Sequence, residues 1–544
     1  MNPSQLLAHF DRISDAPDAI SRLRRFILDL AVRGRLVEQD PRDEPASELL
    51  KRIEAEKERL IKAGEIRKRN PFPRVEDDET PFALPAGWEW VRIRQVTSDR
   101  GQVIPDNDFT YIDVTAINKE VGRVANAKVL SASDAPSRAR KLVRTGDVLY
   151  SCVRPYLLNI AVIESDIVPS PIASTAFAVL NGFGLILSRY LWIVLRSPFM
   201  VECVEGKMRG QAYPAINDSD FALLPLPLPP LDEQQRIVAK VEELMALCDR
   251  LEAAQTDRER QRDWLAVASL HRLNNGADQD AFHARTRCTL AYLPRITTRT
   301  EHIQQLRQTT LNLAVRGKLV PQSPDALPLL KASVDPRSSE IPYPLPVSWR
   351  WVVMEDLVRF VGGSQPPKST FIYVEKKGYT RLVQIRDFKS DAYMTFVPSD
   401  KANRPCKKDD VMIGRYGPPV FQILRGLEGT YNVALMKADP ISATLSKDYL
   451  FYLLQESRIH DRVVEESERT AGQTGVRLPL LNSFLVALPP LAEQRSIVAK
   501  VNELMVLCDR LEAQLTTTKT ESRRLLEAVL HEALASSEGR AVSC

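Results

Sequence analysis

Histidine is scarce, six in 544 residues, and no two stand four apart, which removes the paired-imidazole grip that a helix offers a zinc ion. The seven cysteines include no Cys-x-x-Cys pair, so neither a disulfide framework nor a thiolate metal site is indicated. No apolar run approaches the roughly 18 residues of a membrane-spanning helix. The opening MNPSQLLAHFDRISD lacks the basic start and apolar centre of a secretory signal, so the expected location is the cytoplasm, with no membrane partner. There is no GxxxxGK[ST] phosphate loop: Gly206-Lys207 and Gly317-Lys318 lack the preceding glycine and the following hydroxyl. Neither an FxGxG-like cofactor loop nor an Asn-Pro-Pro-Tyr motif of amino methyltransferases occurs. Glu375-Lys376-Lys377 imitates the tail of a nuclease site, but its nearest upstream acid, Asp356, sits in a repeated structural stretch. No catalytic or metal-binding residue is therefore assigned. A net charge of +4 is too small to announce nucleic acid by itself, so any basic surface has to be local.

What the chain does contain, it contains twice. Leu228 to Ala253 reads LPPLDEQQRIVAKVEELMALCDRLEA and Leu488 to Ala513 reads LPPLAEQRSIVAKVNELMVLCDRLEA, 21 of 26 positions identical at an offset of 260. Each copy begins with Pro-Pro and then runs for more than 40 residues without glycine or proline, which predicts a long helix after each pair. Ile237, Val241, Leu244, Cys248 and Leu251 fall at steps of four and three, and Ile497, Val501, Leu504, Cys508 and Leu511 repeat them. That is a heptad seam, so each helix is expected to lie along another. Cys248 and Cys508 read as small core residues.

The repeat extends further. LDLAVRGRLVEQ (Leu28 to Gln39) returns as LNLAVRGKLVPQ (Leu311 to Gln322), predicting helices over Ala19 to Val37 and His302 to Val320, with Gly34 and Gly317 able to end them. A charged helix over Ser47 to Asn70 has no counterpart. LPAGWEWVRIRQV (Leu84 to Val96) and LPVSWRWVVMEDL (Leu345 to Leu357) each open a β-rich globular stretch with Trp-x-Trp at period two. The fold class expected is α+β: two α/β domains with β-rich cores, separated by two long antiparallel helices in a pseudo-twofold, circularly closed arrangement. The boundaries are 1–80 for an N-terminal helical segment packing on the C-terminal rod, 81–230 for the first domain and 231–325 for a central helical spacer. The second domain covers 340–490 and the C-terminal long helix 491–544.

Basic residues mixed with Tyr, Gln and Thr recur in loops of both domains. In the first they are Arg138, Arg140, Lys141, Arg154, Tyr156, Lys207, Arg209, Gln211 and Tyr213. In the second they are Arg381, Gln384, Arg386, Lys389, Arg404, Lys407, Lys408, Arg415, Tyr416, Arg469, Gln473 and Thr474. Arg and Lys neutralise phosphates, and Arg and Gln make bidentate contacts to guanine and adenine edges, so these sets suit double-stranded DNA. An Arg-x-Tyr or Arg-Tyr step and a Gly-Gln step recur in both halves. Glu233, Gln234, Glu493 and Gln494, at the starts of the long helices, are candidates for a partner-docking face or for charges that complement the helix dipole.

Over essentially its whole length the chain resembles the specificity subunit of a Type I restriction-modification system. The match is carried by the two LPPLxEQ entries, the long helices, the LAVRGxLV helices, the Trp-x-Trp starts, and GDVLYSCVRPY (Gly146 to Tyr156) with KDDVMIGRYG (Lys408 to Gly417). The resemblance implies two target recognition domains on antiparallel helices, each reading half of a split, asymmetric DNA sequence, with no catalytic activity in the chain itself. It also implies DNA adenine methyltransferase subunits, two of them, docked on the helices, and ATP-dependent restriction and translocation subunits. S-adenosylmethionine, ATP and magnesium would be held by those partners. Two other readings are a coiled-coil adaptor with two protein-binding domains, indifferent to DNA, and a nuclease or ATPase in its own right, disfavoured by the missing motifs.

Overall fold

The computed structural model describes residues 16, 18–68, 70–275, 297–321, 341–417, 419–468 and 475–535. The helices that organise the chain are α1 (Ala19–Val32), α2 (Ala46–Lys62), α3 (Ser188–Arg196), α4 (Leu231–Asn275), α5 (Thr300–Val315), α6 (Lys447–Leu453) and α7 (Leu491–Ala535). As expected, α4 and α7 follow the Pro-Pro pairs, and each runs unbroken for 45 residues, about 68 Å at 1.5 Å per residue. The chain forms two compact units, residues 1–256 with 519–544, and residues 257–518. The division falls inside both long helices.

Glycine ends the short helices earlier than the apolar periodicity suggests. α1 stops at Val32, α2 at Lys62 and α5 at Val315, because Gly34, Gly64 and Gly317 adopt φ of +65°, +74° and +70°, a left-handed turn that closes the helix.

In the first unit, one four-stranded sheet has the order β5 (Lys128–Leu130), β2 (Phe109–Ile112), β9 (Pro171–Ser174), β6 (Ala139–Leu142), with β2 and β9 parallel. A second sheet has the order β10 (Phe177–Leu180), β7 (Val148–Ser151), β8 (Ile160–Val162), β4 (Arg123–Val124), β3 (Ile117–Asn118). The Trp-x-Trp strand joins neither sheet. β1 (Glu89–Arg92) pairs with the last strand of the domain, β11 (Pro225–Leu228), so the domain opens and closes on one two-stranded ribbon. With no strand on its other side among the described residues, β11 tolerates two prolines.

The second unit repeats the plan. Its sheets are β15 (Phe396–Pro398), β14 (Tyr379–Val383), β19 (Gly429–Tyr431), β16 (Pro405–Cys406), and β13 (Val358–Gly362), β20 (Leu435–Pro440), β17 (Val411–Gly414), β18 (Ile423–Leu424). β14 and β19 are again parallel, and β12 (Arg350–Val353) pairs with β21 (Leu485–Leu488).

The seam residues face inward as the heptads require. In the first unit Ile237, Val241 and Cys248 of α4 share one core with Ile20, Ile27, Leu28 and Ala31 of α1 and with the domain interior. In the second, Ile497 and Val501 of α7 share a core with Leu311, Ala314 and Val315 of α5. Burial of each such aliphatic side chain is worth about 1.5–3 kcal/mol, more than the exposed ion pairs beside it. Those pairs nonetheless repeat: Arg24 bonds Asp249 and Glu252, while Arg307 bonds Asp509 and Glu512. The acids come from the repeated CDRLEA. Leu244, Leu251, Leu504 and Leu511 are half-buried along the same rows. Within the first unit the start of α1 also packs on the last turns of α7, with Ala16 and Ala19 against Leu526 and Arg22 bonding Glu527 at 2.7 Å.

The three repeated motifs converge on one knot in each unit. The Trp88 indole N–H donates to Glu233 Oε2 at 2.8 Å, and the Trp349 indole N–H donates to Glu493 Oε2 at 2.7 Å. Gln234 accepts from the backbone N–H of Leu187 and donates to Pro229 O; Gln494 accepts from Ser446 N–H and donates to Thr444 O and Pro489 O. A Cβ on Gly34 would lie 2.4 Å from Pro85 Cγ, and one on Gly317 would lie 2.4 Å from Pro346 Cγ, so the close approach of LAVRG to the LPxxW turn needs glycine. The four polar residues at the helix starts are therefore not a docking face. Glu233 and Glu493 are only 1% and 4% exposed, and both glutamines are fully buried. Their donors and acceptors are spent on tying domain to helix. Burial pushes the Glu233 carboxyl above its ordinary range, against the Trp88 and Gln39 hydrogen bonds that oppose the shift.

Glu233→Ala or Glu493→Ala leaves a buried indole N–H without an acceptor, which should cost about 1–3 kcal/mol. Denaturant unfolding checks this, and an unchanged midpoint would refute it.

Candidate nucleic-acid interface

Within each domain the candidate residues fall into separate groups. The first group gathers where β7 ends. Arg154, three residues past that strand, takes a left-handed conformation (φ +49°), a strained choice for a side-chain-bearing residue. Its backbone N–H is held by Pro214 O at 2.8 Å, and its guanidinium lies 4.7 Å from the Tyr213 ring centre. Bridges Val153 to Ala215 and Arg209 to Ala215 clamp the loop carrying Lys207, Arg209, Gln211 and Tyr213 against it. Tyr156, Lys207, Gln211 and Tyr213 are exposed, and Arg209 is exposed while paired with Asp220 at 3.0 Å. Arg138 is exposed at the start of β6, where its carbonyl accepts from Thr175 N–H.

Lys141 departs from the sequence expectation. It is 5% exposed and lies 2.9 Å from Asp99 and 3.5 Å from Asp218, so its charge is consumed internally. Arg140 is half-buried and bonds Ala139 O.

In the second domain the corresponding edge carries Gln384, Arg386, Arg415 and Tyr416. Arg415 follows β17, its N–H bonded to Ala434 O at 2.9 Å and its guanidinium 5.1 Å from the Tyr416 ring centre. Tyr416 is exposed. Gln384 follows β14 and donates to Thr395 Oγ1, and Arg386 is exposed 5.8 Å from the ring centre of Tyr393. Arg404, exposed before β16, has its carbonyl bonded by Tyr431 N–H, as Arg138 does with Thr175. Lys389 is exposed beyond the Gln384 turn, whereas Arg381 is half-buried and paired with Asp391 at 2.6 Å. The Nε–H groups of Arg154, Arg381 and Arg415 are shielded and bond nothing among the described residues. Arg469, Gln473 and Thr474 lie outside the described residues.

Lys407 and Lys408 precede β17 and so stand at the other end of that strand from Arg415. There Asp410 Oδ2 accepts from Lys407 N–H while Oδ1 bonds Lys447, and Asp147 in the first domain accepts from Arg144 N–H and bonds Arg100. These equivalent buried acids shift oppositely. Burial dominates at Asp147 and raises its pKa; at Asp410 burial is outweighed by Lys447, the Lys407 N–H and Lys437, which together lower it.

The two Arg-Tyr steps also differ in register. Cys152 N–H bonds Ala176 O and Cys152 O accepts from Ile216 N–H; Arg415 N–H bonds Ala434 O and Arg415 O accepts from Val476 N–H. Arg415 is thus the counterpart of Cys152, and Arg154 lies two residues further along. Both arginines line the same kind of edge from different backbone positions.

A family model for the Type I restriction modification DNA specificity domain matches residues 168–259, which run from just before β9 into α4. The EcoEI specificity subunit of Escherichia coli is 28% identical over 95% of this chain and 94% of its own length; the EcoAI specificity subunit of Escherichia coli is 28% identical over the same shares. A solved chain from work on complex assembly and conformational transition of the type I R-M system superposes with a TM-score of 0.52 at 27% identity. It covers 83% of this chain and 99% of the other. Over nearly its whole length the chain is similar to Type I restriction enzyme specificity subunits. In family terms, the domain–helix knot falls partly inside the matched segment, through Gln234, Glu233 and Leu187. The edge residues of the second domain lie outside it.

Proposed function

We propose that this chain is the DNA-reading subunit of a Type I restriction-modification complex and has no catalytic chemistry of its own. The observation that carries the reading is that one domain plan occurs twice, fastened to its long helix by the same buried Trp-Glu-Gln knot, while the loops at the strand ends differ. Identical fastening with unlike edges suits two readers of unlike half-sites. The long α4 and α7 supply stiff rods that would fix the unread spacer, and closure of the chain into an antiparallel, pseudo-twofold ring would set the half-sites in inverted orientation. Half-sites about one helical turn apart, roughly 34 Å, suit such an arrangement. Methyltransferase subunits carrying S-adenosylmethionine, and restriction subunits using ATP and magnesium, are the proposed partners, with the methylated adenine flipped into the former.

Selection from random duplexes by the intact complex should return a split, asymmetric word. Binding indifferent to sequence in both halves would refute the proposal and favour a protein-binding adaptor. Arg154→Ala and Arg415→Ala should each cost about 1–3 kcal/mol at one position of one half-site if the guanidinium meets a base edge. A loss equal on every sequence, with a shallower salt dependence, would mark a phosphate contact instead.

A further inference from the structure

We infer that Thr115 is a base-reading position of the first domain and the counterpart of Arg386. The inference rests on the DNA-reading role proposed above and adds the position at which part of it is exercised.

The equivalence comes from backbone geometry. The chain leaves β2 after Ile112 in a tight turn in which Ala116 N–H bonds Asp113 O at 2.9 Å. It leaves β14 after Val383 in the same kind of turn, with Asp387 N–H bonding Gln384 O at 3.0 Å. Thr115 therefore stands to Asp113 as Arg386 stands to Gln384, and both Thr115 and Arg386 are exposed. Each turn follows a strand paired in parallel with its neighbour, β9 or β19, and that neighbour leads directly to Ala176 or Ala434, the residue holding the end of β7 or β17. In the second domain the contact is direct: a Cβ on Gly414 would sit 3.4 Å from Ile385 Cδ1 within the turn. Strand direction thus puts the turn on the edge where Arg415 and Arg404 stand, and its equivalent on the edge where Arg154 and Arg138 stand.

The chemistry at the two turns is unlike. Arg386 presents a planar fork of donors, suited to guanine O6 and N7. Thr115 presents a short hydroxyl and a methyl beside Asp113, whose Oδ1 is committed to the Val114 N–H at 2.7 Å. A carboxylate repels phosphate and accepts from exocyclic amino groups, and a threonine methyl packs on the thymine methyl, so this turn suits base edges better than backbone. The same structural position then reads different bases in the two half-sites.

The test uses the intact complex with variants Thr115→Arg, Thr115→Val and Arg386→Thr, each put through random-duplex selection. Thr115→Arg and Thr115→Val should each change the preference at one base pair of one half-site by roughly 5- to 150-fold and leave the other half-site untouched. Arg386→Thr should do the converse. A split word that both Thr115 variants leave unchanged overturns this inference alone; wild-type complex that selects no word overturns the proposed function with it. A uniform change of affinity on all duplexes also overturns the inference, because it assigns the turn to backbone contact.

Discussion

Gly34→Ala and Gly317→Ala should each destabilise their own unit by about 2–5 kcal/mol, the sum of a left-handed backbone penalty of roughly 1–2 and an overpacking cost of roughly 1–3. Both glycines end a short helix at positive φ, and at both an added methyl would meet a proline ring at 2.4 Å and an indole carbon at 3.1 or 3.3 Å. Neither neighbour can retreat cheaply. The indole is held by its N–H bond to the buried glutamate at the start of the long helix, and the proline belongs to the same turn. Gly64→Ala separates the two costs. Gly64 has φ +74° but nothing within 4 Å of an added Cβ, so it reports the backbone penalty alone. Denaturant unfolding of the three variants should therefore place Gly64→Ala nearest wild type. Equal losses in all three would remove the steric argument and with it the reason why LAVRG and LPxxW recur together.

The knot explains what the sequence could and could not disclose. Helix starts at Pro-Pro and seams at steps of four and three are local patterns, so α4, α7 and the inward faces of Ile237 and Ile497 were legible. The roles of Glu233 and Gln234 were not, because their partners Trp88 and Leu187 lie 145 and 47 residues away, and an acid in the first turn of a helix is equally well explained by the dipole. The parallel pairs β2 with β9 and β14 with β19 were invisible for the same reason: each joins strands of three to five residues across a long stretch of chain. Basic loop residues were found by composition, which cannot separate exposed Arg138 and Arg404 from Lys141, whose charge is taken up by Asp99 and Asp218. Thr115 gave no signal at all, since threonine in a turn is ordinary and only the backbone register matches it to Arg386.

Val241→Asp and Val501→Asp should cost about 3–6 kcal/mol at neutral pH, combining roughly 1.5–3 from lost apolar burial with the expense of placing a carboxyl among aliphatic side chains. Valine and aspartate have similar helix propensities, so the loss comes from the seam and not from the helix itself. Val241 is 2% exposed and Val501 is fully buried, each in the core that also receives α1 or α5. Desolvation raises the folded-state pKa of the introduced carboxyl above its unfolded value. A group shifted that way favours folding below the unfolded pKa and loses that contribution as pH rises through the folded pKa, so the penalty should be smallest in acid and reach a plateau at neutral pH. Val506→Asp, on the same helix but 49% exposed, should lose little at either pH. Unfolding midpoints at pH 4.5 and 7.5 therefore should show a gap between Val501→Asp and Val506→Asp that widens with pH. A gap that is absent, or that narrows as pH rises, would mean that the heptad row does not bury its apolar side against α5, and the long helix would then be held to its domain by the knot alone.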